Sequence, residues 1–552
     1  MNLTSPTIAR TIMVQGTASD VGKSIITAAL CRILTEEGYR VAPFKSQNMS
    51  LNSYVTWDGK EIGRAQGMQA DACGILATTD MNPILLKPKK DMVSQVVVHG
   101  KPLGDFAARV YREKVLAEAS VIVKAALANL RSSYDVVVLE GAGSPAEINL
   151  KSRDIVNMNA AGWADAPVVL VADIDRGGMF ASIVGTLELL EPHERDRVCG
   201  FIVNKFRGDV TLLQPGLDWL EERTGKPVLG VVPYLPDVGL EDEDSLSLDT
   251  AISASAATAS DSSDGSGHKE KILDIAVLRL PHISNFTDVD PLRFEPDVEL
   301  RFVTNEGQWG TPDAVIIPGS KNAVDDLLYL HSSGLASRLE RHVRDGGHAV
   351  GICGGYEMMG MRMLDPLHTE SNLDVTEGFG WFPFQVTFAA EKRTERVAGS
   401  AKLPGMAGEY AVDGYEIHMG EVQWLHDWSS GEAEGLAVAA RRPFRLCNSR
   451  VEDRSGEQGD QEAHANASYE EGCVSEDGRV WGTFLHGVLH NDDLRRGWLN
   501  RMRRDLGWSE IPVGTRVQER REQSFQRLAK HVREHVDIRL LKEIMGLEAA
   551  QR

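Results

Sequence analysis

Between Arg10 and about Pro233, short aliphatic and β-branched runs alternate with longer stretches that mix apolar and charged positions. The runs RTIMVQG, YRVAPFK, DVVVLEG, PVVLVADID, VCGFIVNKF and PVLGVVP are continuously apolar, as expected of strands covered on both faces. Ser24 to Glu37 and Ile62 to Ala77 read as helices. Strands and helices in alternation predict a doubly wound α/β domain with a parallel sheet over residues 1–250. From Ala251 to His268 the chain turns to Ser, Ala, Asp and Gly without aromatics, which predicts a flexible linker over 251–270. The alternation then resumes with KILDIAVLRLP, ELRFVT, DAVIIPGS, GHAVGICGG and RVWGTFLHG, predicting a second α/β domain over 271–500. Residues 451–471 are acidic and nearly free of aliphatic side chains, the pattern of an insertion loop. Helical periodicity with charges of both signs between Arg516 and Glu548 predicts a C-terminal helical extension over 501–552.

Composition narrows the function classes. The 552 residues are 42% hydrophobic and 25% charged, a globular balance with room for more than one core. The net charge of −21 repels polyanions, so neither nucleic acid nor an anionic membrane is an expected partner. The six cysteines contain no Cys-x-x-Cys pair, which points to a reducing compartment rather than a disulfide scaffold or zinc knuckle. No apolar run approaches a membrane span and no signal-like apolar region opens the chain, so a cytoplasmic location is expected; a homo-oligomer is compatible with this composition.

The first strand runs into Gly16-Thr17-Ala-Ser-Asp20-Val-Gly22-Lys23-Ser24, which opens a helix. Backbone N–H groups of such a turn, together with a helix N-terminus, cradle phosphates. Lys23 is placed to neutralise the β- and γ-phosphates, and Ser24 to hold Mg²⁺ through its hydroxyl. Five residues separate the two glycines, one more than in the common P-loop. Carboxylates at strand ends would complete the metal site, with Glu140 closing DVVVLEG and Asp71 in MQADACG as candidates. Asp173 and Asp175 in VADIDRGG are further candidates, of which Asp175 reads equally well as a surface or capping group, and Asn204, ending GFIVNKF, is a candidate nucleotide contact or a residue that simply turns the chain.

In the second domain, Gly351-Ile-Cys353-Gly-Gly lies between an apolar strand and a helix-like stretch. Small neighbours allow the strained turn that presents a nucleophile, and nearby N–H groups can receive an oxyanion. A cysteine nucleophile needs a base, for which His486 in GTFLHG is the candidate and His418 and His490 are rivals. Phosphate activation joined to cysteine acyl transfer suggests that ATP converts a carboxylate to an acyl phosphate while the cysteine domain releases ammonia from an amide donor.

The second domain resembles the class I glutamine amidotransferases, whose Cys-centred elbow matches GICGG and whose histidine matches His486. Val488 stands where that class carries its third residue, a Glu two positions after the histidine; GT-x-x-HG with Cys and His retained resembles the cobalamin-pathway branch. In the first domain GTASDVGKS and LEGAGSPAE are similar to dethiobiotin synthetase. Six longer motifs, VAPFKSQNMSLNS, EIGRAQGMQADACG, MNPILLKPKKD, GAGSPAEINL, RDIVNMNAA and ADIDRGGMFAS, together resemble the cobyric acid synthase family along nearly the whole chain. The resemblance implies amidation of adenosylcobyrinic acid a,c-diamide at its b, d, e and g carboxylates, using ATP, Mg²⁺ and glutamine. For a macrocycle rimmed with carboxylates and amides, Lys45, Arg64 and Lys87 supply local cations, and Gln47, Asn48 and Asn52 neutral polar contacts. Rival readings are a cobyrinic acid a,c-diamide synthase, a P-loop regulatory ATPase with a non-catalytic amidotransferase domain, and a dethiobiotin synthetase-like carboxylation that leaves the second domain unexplained.

Overall fold

A computed structural model describes residues 8–90, 92–111, 116–151, 154–236, 238–241, 271–425, 441–449 and 468–547. The expected linker and residues 451–467 of the expected insertion lie outside them. Two units emerge, and their boundaries depart from the order of the chain. The first holds residues up to Ser50, from Glu61 to Glu241 and from Gln518 onward; the second holds Leu51–Lys60 and Asp242–Val517.

In the first unit the strands β1 (Arg10–Gly16), β2 (Val41–Phe44), β3 (Val136–Glu140), β4 (Val168–Asp173), β5 (Val198–Phe206) and β6 (Val228–Pro233) form one sheet in the order β6-β5-β4-β1-β3-β2. Every pairing is parallel. All of β2, β3 and β4 is buried, as the unbroken apolar runs predict. The order reverses on either side of β1, so the loop after β1 sits where an open α/β sheet offers a crevice to a ligand. Helix α1 (Lys23–Glu36) leaves that loop, and α2 (Arg64–Ala72) is almost wholly buried.

The expected C-terminal extension over 501–552 is not one body. Helix Asp492–Asp505 buries Leu494, Trp498, Leu499 and Met502 in the core of the second unit. The helices Val517–His535 and Ile538–Met545 instead place Phe525, Leu528, Ala529, Val532 and Leu541 in the core of the first unit. Both carry the apolar stripe of an amphipathic helix, which says that one face is buried without naming the surface that covers it.

The second unit repeats the architecture with β7 (Leu273–Leu278), β8 (Val298–Val303), β9 (Ala314–Ile317), β10 (His348–Ile352), β11 (Phe384–Ala401), β12 (Tyr410–Trp424), β13 (Cys473–Val474) and β14 (Val480–Thr483). Six of these form a sheet in the order β8-β7-β9-β10-β14-β13, parallel except at β13. The long β11 and β12 pair antiparallel in a separate sheet. Contrary to the expected insertion limits, Tyr469–Glu471 is a strand, paired with Phe444–Leu446. Among the described residues no helix is long and apolar enough to cross a membrane.

Candidate active sites

The phosphate loop of the first unit is braced from β5. Gly22 has φ 96°, a conformation that favours glycine, and a Cβ there would stand 2.2 Å from Asn204 Nδ2. Asn204 Nδ2 donates to Val21 O at 2.8 Å and Lys205 Nζ to Asp20 O at 2.6 Å. Asp20 is itself left-handed at φ 58°, a region that a short polar side chain tolerates. Thr17 N–H donates to Val171 O at 3.0 Å, tying the start of the loop, after Gly16, to β4. Lys23 Nζ reaches back to Ala18 O at 2.8 Å.

Below the loop, Glu140 gathers the polar groups. Its Oε1 accepts from Ser24 Oγ at 2.8 Å and from Lys45 Nζ at 2.9 Å, and its Oε2 from Gln69 Nε2 at 2.6 Å. Burial alone would push this carboxyl up, but the Lys45 charge and the hydrogen bonds from Gln69, Lys45 and Ser24 outweigh it and hold the group below its ordinary value. The fold therefore brings Ser24 and Glu140 together. Asp71 is drawn elsewhere, its carboxylate paired with Arg521 at 2.7 Å, and Arg521 also reaches Glu241 at 3.2 Å.

The candidates for acceptor binding divide. Lys87 Nζ is buried against Glu61 Oε1 at 2.6 Å, so its charge, like that of Lys45, is already matched by a carboxylate. Gln47 Oε1 accepts from Tyr111 Oη, Asn48 Nδ2 donates to Gln66 Oε1 at 2.9 Å, and Arg64 is buried at the start of α2. Asn52, expected among them, belongs to the second unit, where its Oδ1 accepts from Phe286 N–H at 3.3 Å.

In the second unit Cys353 follows β10 with φ 52° and ψ −111°, the strained turn expected of a nucleophile elbow. Only glycine fits at position 355, where a Cβ would lie 2.0 Å from Ile317 O. Cys353 N–H donates to Thr483 O at 2.9 Å, which ties the elbow to the end of β14, and His486 follows three residues later. Both side chains lie along β12. The Tyr415 ring stacks on His486 with centroids 5.0 Å apart, and Cys353 Sγ donates to Ile417 O at 3.7 Å. Burial pushes the Cys353 thiol well up, and the negative charge of Glu357 adds to the effect.

The third member of this site was not legible in the sequence. His486 Nδ1 lies 2.7 Å from Asp288 Oδ2, and Gly487 N–H donates to Asp288 Oδ1 at 2.8 Å. Burial would raise the Asp288 carboxyl, but His486 beside it and the Gly487 N–H hold it below its ordinary value. Asp288 sits in the turn Phe286–Phe294 between β7 and β8, whereas the position two residues after His486 is Val488. The one local signal was a carboxylate in a turn beyond the first strand of a domain. Of the rival imidazoles, His418 stacks on Phe484 at 3.7 Å and bonds Gly420 O through Nδ1 at 2.8 Å.

Residues 12–248 match the model of the CobQ/CobB/MinD/ParA nucleotide binding domain, and residues 274–494 that of the CobB/CobQ-like glutamine amidotransferase domain. Among curated proteins, the chain is 47% identical over 545 residues to the cobyric acid synthase of Desulforamulus reducens, covering 98% of this chain and 99% of that one. It is 46% identical over 537 residues to the cobyric acid synthase of Geobacillus kaustophilus, covering 97% of each. With the cobyric acid synthase of Sorangium cellulosum it shares 47% identity over 554 residues, 98% of this chain and 99% of that one.

Proposed function

The chain belongs to the cobyric acid synthase family of glutamine-dependent amidating ligases, and from that premise we propose that it converts adenosylcobyrinic acid a,c-diamide to adenosylcobyric acid. The b, d, e and g carboxylates are amidated in turn. Each takes the γ-phosphoryl group of ATP, giving an acyl phosphate and ADP, and ammonia then displaces phosphate to leave the carboxamide.

In the amidotransferase unit the Cys353 Sγ proton passes to His486 Nε2, and the sulfur attacks the side-chain carbonyl of glutamine. The histidine returns the proton to the departing nitrogen, releasing ammonia, and water hydrolyses the thioester to glutamate. Asp288 holds the ring so that Nδ1 carries a hydrogen and Nε2 presents its lone pair. The observation that carries the reading is this His486–Asp288 pair beside the Cys353 elbow, in one chain with a braced phosphate loop.

At that loop the N–H groups from Thr17 to Gly22 are proposed to receive the phosphates, with Lys23 neutralising them. The hydroxyl of Ser24 and the carboxylate of Glu140 are hard oxygen donors 2.8 Å apart, a set that suits Mg²⁺, which would draw charge from the transferring phosphoryl group. Gln47, Asn48 and Arg64 are proposed to face the corrinoid, with Lys45 and Lys87 contributing through their carboxylate partners.

The test is to incubate the purified protein with ATP, Mg²⁺, glutamine and adenosylcobyrinic acid a,c-diamide and follow the corrinoid by mass. Four successive losses of about one mass unit, each dependent on ATP, are expected. Amidation of cobyrinic acid with no change to the diamide would reassign the chain to the a,c-diamide synthase reaction.

A further inference from the structure

The short segment Leu51–Lys60 folds with the amidotransferase unit, although its flanking residues Ser50 and Glu61 belong to the unit that holds the phosphate loop. Asn52 and Ser53 are completely buried there. Ser53 N–H donates to Asn285 Oδ1 at 2.8 Å, and Asn52 Oδ1 accepts from the N–H of the next residue, Phe286. Tyr415, whose ring stacks on His486, donates its hydroxyl to Ser53 O at 3.5 Å.

These contacts decide which way the Asn285 amide points. With Oδ1 engaged by Ser53, Nδ2 is the end that faces His486 Nε2, at 3.4 Å. Asp288 on the opposite nitrogen leaves Nε2 as the lone pair, and the Asn285 N–H donates into it. That lone pair is the one that must receive the Cys353 proton, while Cys353 Sγ donates instead to Ile417 O. Asn285 is left-handed at φ 51° and 3% exposed, so few arrangements other than rotation of its amide are open to it.

We propose that Asn52 and Ser53 form a latch that holds the Asn285 amide donor against the glutaminase base, and that withdrawal of the segment lets the amide turn and offer Oδ1 to a protonated Nε2. The first arrangement favours neutral imidazole and thiol; the second favours imidazolium and thiolate. Both ends of the segment continue into the unit that holds the phosphate loop. Asn285 and Ser53 are positioning residues in this scheme. Other charged groups at the site are Asp288 on the ring, Glu357 and Glu370 near the thiol, and His490 near Asp288, and none is altered by the test below.

The inference rests on reading Cys353 and His486 as a glutaminase centre. Asn285→Asp keeps the shape and an acceptor for Ser53 N–H while presenting an oxygen to Nε2, imitating the released state. Full-length protein without ATP or corrinoid is treated with the glutamine-analogue electrophile 6-diazo-5-oxo-L-norleucine at neutral pH. Labelling of the Cys353 peptide is followed by mass, alongside glutamate release from glutamine. Asn285→Asp is expected to accelerate both by on the order of tenfold, the ratio given by one pK unit of bias toward the ion pair. Asn52→Ala, which loosens the latch, should shift both the same way by less, and ammonium-driven amidation should be unchanged in Asn285→Asp.

Labelling at or below the wild-type rate in Asn285→Asp, with an unchanged melting temperature, would overturn the latch. If that variant melts early, Asn285→Gly, which tolerates the left-handed backbone and removes the amide donor, must show the acceleration, and a slower rate there overturns the proposal as well. A wild-type protein that neither labels at Cys353 nor hydrolyses glutamine under any condition would refute the glutaminase reading itself, an outcome separate from failure of the latch alone.

Discussion

Asp288 and His486 stand 198 positions apart in the chain, yet their Oδ2 and Nδ1 atoms are 2.7 Å apart in the fold. The carboxylate fixes the tautomer of the ring, so replacing it with an isosteric amide keeps the packing and removes the charge. Asp288→Asn is expected to lower glutamine-driven amidation by roughly 10²–10⁴-fold, the range seen when the orienting acid of a triad is neutralised. Amidation driven by high ammonium should be nearly unchanged. Steady-state assays with the two nitrogen sources side by side make the comparison, and equal losses with both would contradict the assignment.

Gly22 is a second point where a single atom decides. A methyl group there would be forced against Asn204 Nδ2 on a backbone already at φ 96°. Gly22→Ala should weaken ATP binding by about tenfold or more, since a strained residue and a displaced brace together cost on the order of 1–3 kcal/mol. Calorimetric titration with ATP and Mg²⁺ measures this, and wild-type affinity in the variant would exclude the loop as the nucleotide site.

Lys87 and Glu61 form a buried ion pair, with side chains 3% and 0% exposed. Removing one charge takes away the other's 2.6 Å ion-pair partner inside the protein, at a cost of about 3–5 kcal/mol. Lys87→Met should therefore lower the denaturation midpoint of the first unit sharply. The double change Lys87→Met with Glu61→Gln should recover much of the loss, and a double-mutant cycle in urea gives the coupling. Additive losses would show that the pair is not what holds Lys87.

His348 gives the second unit a specific sensitivity to acid. Its imidazole is pushed down to about 4 from an ordinary value of 6.5 by burial, against the opposing pull of Asp505. The folded state therefore prefers the neutral ring. The stability this contributes is complete above 6.5 and is lost as the pH falls toward 4, where the unfolded chain binds the proton and the folded one does not. The loss over that window is on the order of 3 kcal/mol. Melting curves between pH 7 and pH 4 should show a slope that is reduced in His348→Gln; identical slopes would place the acid sensitivity elsewhere.

What could be read along the chain was what local chemistry dictates. Continuous apolar runs separated by helical stretches fit buried parallel strands, and each of the two such series forms the mainly parallel sheet of its unit. The phosphate loop and the cysteine elbow were legible for the same reason, because a strand end, small residues and a helix start are all contiguous. Cys353 and His486 could be named as a proposed pair, but not the carboxylate that lies against the histidine.

The tertiary structure decided the rest by bringing distant groups together. Lys45 and Lys87 read only as local cations, because their partners Glu140 and Glu61 lie 95 and 26 residues away. The last two helices announced one apolar face each, and only packing assigned them to the first unit. Residues 51–60 gave no sign that they would fold with the amidotransferase. Periodicity and motif spacing report what a residue needs within a few positions; which carboxylate reaches a histidine, and which backbone N–H turns an amide, depends on contacts whose sequence separation carries no local signal.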